Sequence, residues 1–523
     1  EELSPAGILT PEIIGAFVLL AVFPFIIRSI VTRYRHQQAY KPYTKPDEFD
    51  ANLLVVGAGS AGLVSSYIAS AVKAKVILIE KHKMGGDCLN TGCVPSKALI
   101  RAAKTNHLLK HADELGIENA SGDVNLSKVF GRVHQVIKDI EPHDSIERYT
   151  KLGVECIQGE ATLVSPYGVM VNGRVITAKN IIIATGARPF VPPIPGLDQV
   201  DPLTSDSLWS LDTFPKKLLI MGAGPIGCEL AQSFQRLGVS VTLVDMATRV
   251  MPREDEDVSE YVLERFQEEG VHVILNQKIV EFEKTDNGGV VHLSNGSGQQ
   301  AIEFDRVLVA VGRKANTEGF GLESLGLEKT PQGTLVVDEY MRTRFPNIYA
   351  CGDVAGPYQF THTAAHQAWY ASVNALFGKF KKFRVDYKVI PWATFTDPEV
   401  ARVGLNETEA LEKGIEYEIT RYGIDDLDRA IADNAAKGFV KVITVKGSDR
   451  ILGCTIVGSQ AGELITEFVT AMKYNLGLNK ILSTIHIYPT MSEANKYAAG
   501  EWKRAHVSSM TLSLLERLHR WMR

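Results

Sequence analysis

The stretch that decides the fold is residues 51–62, which read ANLLVVGAGSAG. A strand-like run of Leu and Val leads into a turn with glycines at positions 57, 59 and 62, and a helical stretch of small residues follows. Gly57 permits the tight turn, Gly59 lets the backbone approach a pyrophosphate, and Gly62 lets helix and strand pack closely. The next strand ends at Glu80, whose carboxylate is placed to accept hydrogen bonds from a ribose diol. The stretch therefore predicts a dinucleotide-binding α/β unit.

The same pattern returns further along the chain. Residues 217–227 read KLLIMGAGPIG, with glycines Gly222, Gly224 and Gly227, and the following strand ends at Asp245. Each acid stands 23 positions after the first glycine of its turn. Two such units in one chain predict two dinucleotides, one a bound redox cofactor and the other diffusible. FAD and a nicotinamide coenzyme fit this pair.

The acid at the end of the second unit indicates which nicotinamide coenzyme binds. A carboxylate at Asp245 would repel the extra phosphate of NADP and hold a free ribose hydroxyl, so we expect NAD. Arg249 and Arg253 are close to it in sequence, and cations accommodate that phosphate, which keeps NADP open.

Length and composition bound the class of protein. The chain has 523 residues, of which 45% are hydrophobic and 22% charged, as in a globular protein of about three or four domains. A net charge of -5 gives no basic face broad enough for a run of phosphates, so we expect no nucleic-acid partner. Six cysteines are too few for a secreted disulfide scaffold in a chain of this length, which favours a reducing compartment.

The N-terminal part has the composition of a membrane segment. Residues 13–27 are uncharged and mostly apolar. A spanning helix needs about 20 residues, so it would cover roughly 11–31, with Glu12 at one interface and Arg28 at the other. Acidic residues precede the run and basic residues follow it, which is opposite to a signal peptide and places the C-terminal side in the cytoplasm. We expect residues 1–48 to form one transmembrane helix and a linker that anchor a cytoplasmic catalytic part.

Two cysteines lie close together in sequence. Residues 85–97 read GGDCLNTGCVPSK and contain Cys88 and Cys93. Four intervening residues with Gly92 give enough slack to close a small disulfide ring, and a following helix N-terminus favours the thiolate. A zinc half-site would need a second Cys or His pair, which does not accompany these two, so we expect no metal site. The pair suits reversible exchange of electrons.

The stretch from roughly 50 to 505 resembles the pyridine-nucleotide disulfide oxidoreductases, which include dihydrolipoamide dehydrogenase, glutathione reductase and mercuric reductase. Further matching segments are ATGARP at 184–189, AVGR at 310–313 and TRFPNIYACGD at 343–353. The resemblance implies that NADH reduces FAD, which then reduces a disulfide between Cys88 and Cys93. It makes Cys93 the thiol next to the flavin and Cys88 the thiol that faces the acceptor.

The resemblance also assigns roles outside the cysteine pair. Lys97 and Glu229 match an ion pair near flavin N5, where a cation would stabilise negative charge on the reduced ring. Asp353 matches the residue that binds the FAD ribityl chain. The other residues that the resemblance assigns to cofactor binding are Gly86, Thr185, Gly186, Gly312 and Gly352.

The implied architecture is α/β, with two Rossmann-like FAD- and NAD(P)-binding domains and a C-terminal α+β dimerisation domain after the N-terminal transmembrane helix. The implied domains are an FAD-binding domain in two parts (49–195 and 319–388), an NAD(P)-binding domain (196–318) and a dimerisation domain (389–505). A basic amphipathic helix is expected at 506–523, packed on its own protein or on an anionic membrane. A homodimer is expected, in which one subunit completes the other's disulfide site.

The C-terminal signature departs from the disulfide-reducing members of this group. Residues 486–493 read HIYPTMSE, whereas those members carry His immediately before Pro, paired with the later Glu. Tyr488 and Glu493 are therefore the candidate catalytic residues here. An imidazole with a pKa of about 6.5 exchanges protons with thiols at neutral pH, whereas a phenol with a pKa of about 10 rarely does. We expect His486 to be a packing residue and not a replacement.

The identity of the electron acceptor is left open by these residues. Tyrosine at this position resembles mercuric reductase, as does ATFTDPEVARVG at 393–404, and a phenol with two thiolates suits a soft metal ion. Mercuric reductases end in a vicinal cysteine pair, whereas this chain has no cysteine after Cys454. We expect an acceptor of the mercuric reductase type, a soft metal ion, or of the dihydrolipoamide dehydrogenase type, a small disulfide-like molecule. The alternatives are a quinone acceptor, or a membrane-tethered redox sensor or scaffold without turnover.

Overall fold

The computed structural model describes residues 20, 23, 27, 31, 34, 36–296 and 298–523. Most of the expected membrane segment, residues 11–31, lies outside the described residues. In the part of the chain that is described, no helix is both long and apolar enough to cross a bilayer.

The first part of the chain alternates strands and helices around the first glycine turn. In chain order its elements are β1 (Ala51–Val56), α1 (Ser60–Ala71), β2 (Val76–Glu80), α2 (Gly86–Asn90), α3 (Cys93–Lys110), α4 (Leu126–Ile140), α5 (Ile146–Lys151), β3 (Val154–Gln158), β4 (Thr162–Ser165), β5 (Gly168–Val171), β6 (Arg174–Ile183) and β7 (Ala187–Pro189).

The middle of the chain repeats the alternation around the second glycine turn. Its elements are β8 (Lys217–Met221), α6 (Pro225–Arg236), β9 (Ser240–Val244), α7 (Glu256–Glu268), β10 (His272–Ile274), β11 (Lys278–Thr285), β12 (Gly288–Ser294), β13 (Gln299–Phe304), β14 (Arg306–Val309), β15 (Arg313–Ala315), β16 (Ile348–Ala350) and α8 (Thr361–Phe377).

The C-terminal part is a sheet followed by helices. Its elements are β17 (Pro391–Thr394), β18 (Glu399–Gly404), α9 (Glu407–Glu412), β19 (Tyr417–Gly423), α10 (Asp428–Ala432), β20 (Phe439–Val445), β21 (Ile451–Gly458), α11 (Ala461–Lys473), α12 (Leu478–Ser483), α13 (Glu493–Ala505) and α14 (Ser509–Met522).

The chain forms two compact units, the first of which contains residues through Gly86 together with 143–187 and 315–385. Its sheet has the strand order β3-β2-β1-β6-β5-β4, with β16 beside β6. The strands β1, β2, β3 and β16 and the end of β6 run parallel. Leu53 and Leu54 in β1 are fully buried, as the near-continuous apolar run of a central parallel strand requires. The first glycine turn leaves this sheet at the carboxyl end of β1, where ligands bind in such sheets.

The second unit contains residues 87–142, 188–314 and 386–523. It holds a four-stranded parallel sheet, β10-β9-β8-β14, and a three-stranded antiparallel sheet, β11-β12-β13. Its C-terminal residues form a five-stranded antiparallel sheet, β17-β18-β21-β20-β19. The helix α3, which begins at Cys93, packs against α4 and α6 within this unit. The cysteine segment and the second glycine turn therefore belong to one compact body.

Candidate functional site

The two glycine turns have the same backbone conformation. Gly57 has φ +100° and Gly222 has φ +104°, both in the left-handed region that favours glycine. A Cβ atom at either position would lie 2.5 Å from a carbonyl oxygen, that of Ala184 in the first unit and that of Ala310 in the second. Each turn then leads directly into the N-terminus of a helix, α1 or α6. The repeat seen in the sequence is therefore a repeat of geometry.

The two strand-end acids are also fixed in the same way. One Glu80 oxygen accepts a hydrogen bond from the Ala58 amide at 2.7 Å, and one Asp245 oxygen accepts from the Ala223 amide at 2.6 Å. The other oxygen of each acid accepts from the amide two residues further on, at 2.8 and 2.7 Å respectively. Each carboxylate is thus held beside its own glycine turn, where the ribose of a dinucleotide would lie.

The space at both helix N-termini fits a pyrophosphate. A Cβ at Gly86 would lie 2.6 Å from the Cα of Gly59, so the close approach of these two backbones in the first turn requires that Gly86 has no side chain. At Gly62 and Gly227 a Cβ would collide with the carbonyl oxygen of the first glycine in the same turn. Backbone amides at a helix N-terminus bind anionic groups in such a space. The residues present in both turns therefore fit the predicted FAD and nicotinamide cofactors.

Thr185 and Gly186 lie in a loop of the first unit that a single asparagine fixes. The Thr185 hydroxyl donates to the Asn316 carbonyl oxygen at 2.8 Å, and the Asn316 side-chain amide donates to the Thr185 carbonyl oxygen at 2.9 Å. The Asn316 backbone amide donates to the Gly186 carbonyl oxygen at 2.9 Å. Asn316 is absent from the sequence-based site residues, since a lone asparagine 131 positions away carries no motif.

Gly352 and Asp353 lie at the carboxyl end of β16 in the same unit. The Gly352 amide donates to the side chain of buried Gln367 at 2.7 Å, and Gln367 in turn donates to the Gly356 carbonyl oxygen at 2.7 Å. A Cβ at Gly352 would lie 3.2 Å from the Cβ of Ala61, in the first turn of α1. The predicted ribityl-binding loop therefore lies against the helix that carries the first glycine turn.

Cys88 and Cys93 are held by a tight turn in the second unit. Cys88 lies in the short helix α2 and is half-buried, whereas Cys93 is the first residue of α3 and is exposed. The Asp87 carbonyl oxygen, just before Cys88, accepts hydrogen bonds from the amides of Thr91 at 2.9 Å and Gly92 at 2.7 Å. These hydrogen bonds form a turn between the two cysteines. The long helix α3 begins directly after this turn, at Cys93.

Two residues outside the motif fix this turn. The Arg313 guanidinium lies 2.8 Å from the Asp87 carboxylate, and the Trp209 indole donates to the Thr91 carbonyl oxygen at 2.8 Å. Arg313 follows Gly312, whose carbonyl oxygen accepts from the Phe190 amide at 3.0 Å. Arg313 was part of the AVGR match, but the sequence offered no reason to pair it with Asp87.

Lys97 and Glu229 form an ion pair one turn after Cys93. The Lys97 ammonium lies 2.8 Å from the Glu229 carboxylate, with the two side chains 37% and 8% exposed. The ammonium also lies 4.4 Å from the centroid of the Phe395 ring, and the Phe395 amide donates to the second Glu229 oxygen at 2.9 Å. Phe395 thus contacts both members of the pair, and it was not among the predicted site residues.

A buried network holds the segment that carries Phe395. The Gln232 side chain exchanges two hydrogen bonds of 2.8 Å with the backbone of Asp397. Arg236 lies 2.9 Å from the Asp397 carboxylate and 2.6 Å from that of Glu269, and its side chain is 4% exposed. Glu229, Gln232 and Arg236 lie on one face of α6 because they are three and four residues apart. One helix face therefore positions the whole segment.

Tyr488 is exposed and hydrogen-bonded to a carboxylate in its own subunit. Its hydroxyl donates to Asp428 at 2.9 Å. This hydrogen bond, and then the negative charge of Asp428, raise the pKa of the Tyr488 phenol above its ordinary value. The phenol is therefore a poorer proton donor than a free tyrosine. It is even less suited to exchange protons with thiols at neutral pH, as an imidazole does.

His486 and Glu493 have partners within the same C-terminal residues. One His486 ring nitrogen lies 3.0 Å from the Thr484 carbonyl oxygen and the other lies 3.0 Å from the Glu467 carboxylate. Glu493 is buried and accepts from the Thr490 amide and the Tyr497 hydroxyl, both at 3.3 Å. Both ring nitrogens of His486 thus have partners within these residues, and its role as a packing residue stays a prediction.

The remaining cysteines lie in surroundings that disfavour the thiolate. Cys228, Cys351 and Cys454 are buried, and burial raises the pKa of each thiol. Burial also raises the pKa of half-buried Cys156. Since a thiolate is the reactive form, these surroundings favour a structural role for the four thiols.

Comparison with known families gives two matches that cover most of the chain. Residues 51–368 match the family described as pyridine nucleotide-disulphide oxidoreductase. Residues 390–499 match the dimerisation domain of the same group.

Two similar proteins illustrate the range of activities among the curated relatives. A mercuric reductase from Bacillus cereus is 35% identical over 450 residues, which are 86% of this chain and 71% of that protein. A dihydrolipoyl dehydrogenase from Chlamydia pneumoniae is 36% identical over 452 residues, which are 85% of this chain and 95% of that protein.

Solved structures show the same fold. The Cu(II) complex of the HOCl-induced flavoprotein disulfide reductase RclA from Escherichia coli superposes with a TM-score of 0.76 at 28% identity, covering 85% of this chain and 98% of that one. LpdA from Mycobacterium tuberculosis superposes with a TM-score of 0.79 at 26% identity, covering 87% of this chain and all of that one.

Proposed function

Because the chain belongs to the pyridine nucleotide-disulphide oxidoreductase family, whose members are enzymes that use FAD and NAD(P)H, we propose that it passes electrons from NADH to a disulfide between Cys88 and Cys93. Bound FAD would supply the two-electron exchange between the nicotinamide and the cysteines. The observation that carries this proposal is the Lys97–Glu229 pair, in which Lys97 lies one turn after Cys93 on the same helix.

In this proposal each residue of the cysteine segment has a separate role. Reduction of the disulfide takes up two electrons and two protons and leaves two thiols. The half-buried Cys88 then gives the electron pair to the acceptor, both protons are released to the acceptor or to water, and the disulfide forms again. The Lys97 ammonium would stabilise negative charge that develops on reduced FAD, and Glu229 fixes the position of Lys97.

We propose NAD and not NADP as the coenzyme, on the basis of Asp245. Its carboxylate is fixed beside the second glycine turn by two amides, so it stays where a 2′-phosphate would have to bind. The test compares kcat/KM for NADH and NADPH in the wild type and in Asp245→Ser. The wild type should favour NADH, and the substitution should reduce that preference by about tenfold, chiefly through KM. A wild type that favours NADPH would exclude this assignment.

We propose a soft metal ion as the acceptor in preference to a lipoamide-type disulfide. The Tyr488 phenol, whose pKa Asp428 raises, cannot replace an imidazole in proton exchange with thiols at neutral pH. One relative supports a soft ion, because it is named a mercuric reductase, and one similar structure was solved as a complex with Cu(II), a borderline metal ion. Thiolates are the protein ligands that such ions prefer.

The deciding experiment is a panel of acceptors: Hg(II), Cu(II), lipoamide, glutathione disulfide and a soluble quinone. NADH oxidation is measured with wild type, Cys88→Ser and Tyr488→His. We expect the wild type to oxidise NADH with Hg(II), and Cys88→Ser to abolish this turnover. We expect Tyr488→His to gain lipoamide reduction. Fast lipoamide reduction by the wild type would refute the choice of acceptor, and quinone turnover that survives Cys88→Ser would favour the quinone alternative.

A homodimer follows from the matched dimerisation domain. That region has exposed apolar side chains close together in sequence, at Ile485, Ile487 and Tyr488, as expected at a protein–protein interface. We propose that this region of one subunit completes the disulfide site of the other. A monomeric variant with full turnover would contradict this.

We retain the membrane anchor at residues 11–31, with the catalytic part in the cytoplasm, as a proposal that rests on the sequence. Retention of the full chain in membranes after an alkaline wash supports it, and release into the wash refutes it. A sensor or scaffold without turnover is not favoured, because the relatives are named for reductase and dehydrogenase activities.

A further inference from the structure

The loop after α8 carries cations and aromatic rings alternately. Residues 377–384 read FGKFKKFR, and we call them the basic aromatic loop. They contain three lysines and one arginine and no acidic residue. Phe380 is 90% exposed, and Phe377 and the nearby Trp369 are each about 40% exposed. Large apolar side chains grouped among cations on a surface mark an interaction site.

The fold holds this loop in place. Buried Asn374 accepts a hydrogen bond from the Phe383 amide at 2.8 Å, and its side-chain amide donates to the Phe383 carbonyl oxygen at 2.8 Å. The Trp369 and Phe383 rings pack edge to face with centroids 5.4 Å apart. The Phe380 amide donates to the Phe377 carbonyl oxygen at 2.9 Å, which closes the turn. Phe380 therefore projects from a fixed turn.

The chain that follows the expected membrane segment packs in the same unit as this loop. Ala39 is 8% exposed and belongs to the core of that unit. The Tyr40 hydroxyl donates to the Asn347 side chain, and the Tyr40 and Phe345 rings pack with centroids 5.2 Å apart. The first described residues after the apolar run are thus fixed to the body of the unit.

A short series of contacts joins this segment to the basic aromatic loop. The Lys382 ammonium lies 5.7 Å from the Tyr340 ring centroid, and the Arg342 guanidinium lies 5.0 Å from the same ring. The Asn374 side chain, which holds Phe383, also donates to the Tyr340 carbonyl oxygen at 3.2 Å. Burial and then the charge of Arg342 lower the pKa of His36, the charge of Asp338 raises it, and the charge of Lys382 lowers it. Both segments therefore lie on one side of the unit.

We propose that the basic aromatic loop docks on the anionic phospholipid headgroups of the membrane that the proposed anchor would enter. Lys379, Lys381 and Lys382 match the negative charge of such a surface, and aromatic rings such as Phe380 are favoured at the headgroup level. A membrane is favoured over a second protein because the adjacent chain at His36 continues directly from the apolar run. The proposal goes beyond the redox chemistry and rests on the proposed anchor only for the choice of partner.

The test is hydrogen exchange by mass spectrometry on the full chain in vesicles. One set contains phosphatidylcholine alone and the other also contains phosphatidylglycerol. We expect amides of residues 378–384 to exchange about tenfold more slowly with phosphatidylglycerol, and the difference to disappear at high salt. Equal exchange in the two vesicles overturns the proposal. Protection in detergent that rises with protein concentration assigns the loop to a second copy of the chain and also overturns it.

Matched variants separate the loop from the anchor. The triple substitution Lys379→Gln, Lys381→Gln, Lys382→Gln should remove the protection, whereas Lys73→Gln, Lys151→Gln, Lys179→Gln, at three exposed lysines of the same unit, should retain it. Flotation with phosphatidylcholine vesicles reports the anchor separately, since neutral lipid retains an inserted segment but offers the loop no anionic partner. A wild-type chain that floats only with phosphatidylglycerol, and only at low salt, would refute the anchor. Loss of that flotation in the triple loop variant would support the loop, and its retention would overturn the proposal.

Discussion

The Lys97 ammonium lies 2.8 Å from the Glu229 carboxylate and joins the helix that begins at Cys93 to the helix that follows the second glycine turn. Glu229 is nearly buried, and its other oxygen accepts from the Phe395 amide. Removing Lys97 would leave the nearly buried Glu229 carboxylate without its counter-charge in a poorly solvated position. The pair is therefore a structural link between the two helices, and it fixes the Lys97 ammonium one helical turn after Cys93.

Replacing Lys97 should change the electron transfer and not only the fold. Lys97→Met removes the cation that would stabilise charge on reduced FAD, so the flavin midpoint potential should fall by about 30 mV or more. Reduction of the cysteine pair by NADH should slow by about tenfold. Lys97→Arg keeps the positive charge, so its flavin midpoint potential should stay close to that of the wild type. Lys110→Met, at an exposed lysine of the same helix, is the matched control, and an unchanged potential in Lys97→Met would contradict the assigned role.

The two glycine turns should be separable by one substitution each. Gly57→Ala places a Cβ 2.5 Å from the Ala184 carbonyl oxygen, and the protein should purify without flavin. Gly222→Ala should retain flavin but bind NADH at least about tenfold more weakly. Flavin absorbance per protein and NADH titration measure the two effects. Gly131→Ala, at a helical position with open space around it, should change neither, and loss of flavin in Gly222→Ala would reverse the assignment.

Tyr488 should ionise at a higher pH than a free tyrosine because of Asp428. The hydrogen bond to Asp428 favours the neutral phenol, so the raised pKa keeps Tyr488 protonated until the solution is strongly alkaline. Asp428→Asn should lower the pKa of Tyr488 toward the ordinary tyrosine value of about 10. Ultraviolet difference titration against Tyr488→Phe in each background isolates this one residue. Asp433→Asn is the control, and identical titrations in wild type and Asp428→Asn would show that the contact is absent in solution.

His107 should make stability depend on pH in mildly acidic solution. Burial and then the charge of Arg236 lower the pKa of His107 to about 4, and Arg265 donates to its ring nitrogen at 3.0 Å. The unfolded imidazole, at about 6.5, takes up a proton that the folded one does not, so stability is present above about pH 6.5 and is lost as the pH falls toward 4.

Because His107 is only half-buried, the expected loss is about 1 kcal/mol of unfolding free energy between about pH 7.5 and pH 5. Urea denaturation at the two pH values measures it. His107→Gln should remove this loss of unfolding free energy between the two pH values. His143→Gln, at an exposed histidine, should leave the loss unchanged. An unchanged slope in His107→Gln would show that another group titrates.

The features that could be predicted from sequence are those that a few consecutive residues impose. Gly57 and Gly222 must adopt positive φ in a turn that ends a buried strand, and Glu80 and Asp245 must follow at the end of the next strand. Cys88 and Cys93 need only a short turn between them. The partners of these features were not predictable, because Arg313, Asn316 and Gln367 carry no motif that links them to distant glycines or acids.

The sequence by itself therefore determined the two dinucleotide turns, their acids and the cysteine pair, since backbone conformation and short spacings are local properties. Only the tertiary structure decided that Phe395, 166 residues beyond Glu229, contacts both members of the Lys97–Glu229 pair. It also decided that Asp428 holds Tyr488 and that Phe380 projects beside three lysines. These relationships depend on how helices and loops pack, and a packed arrangement is a property of the whole chain.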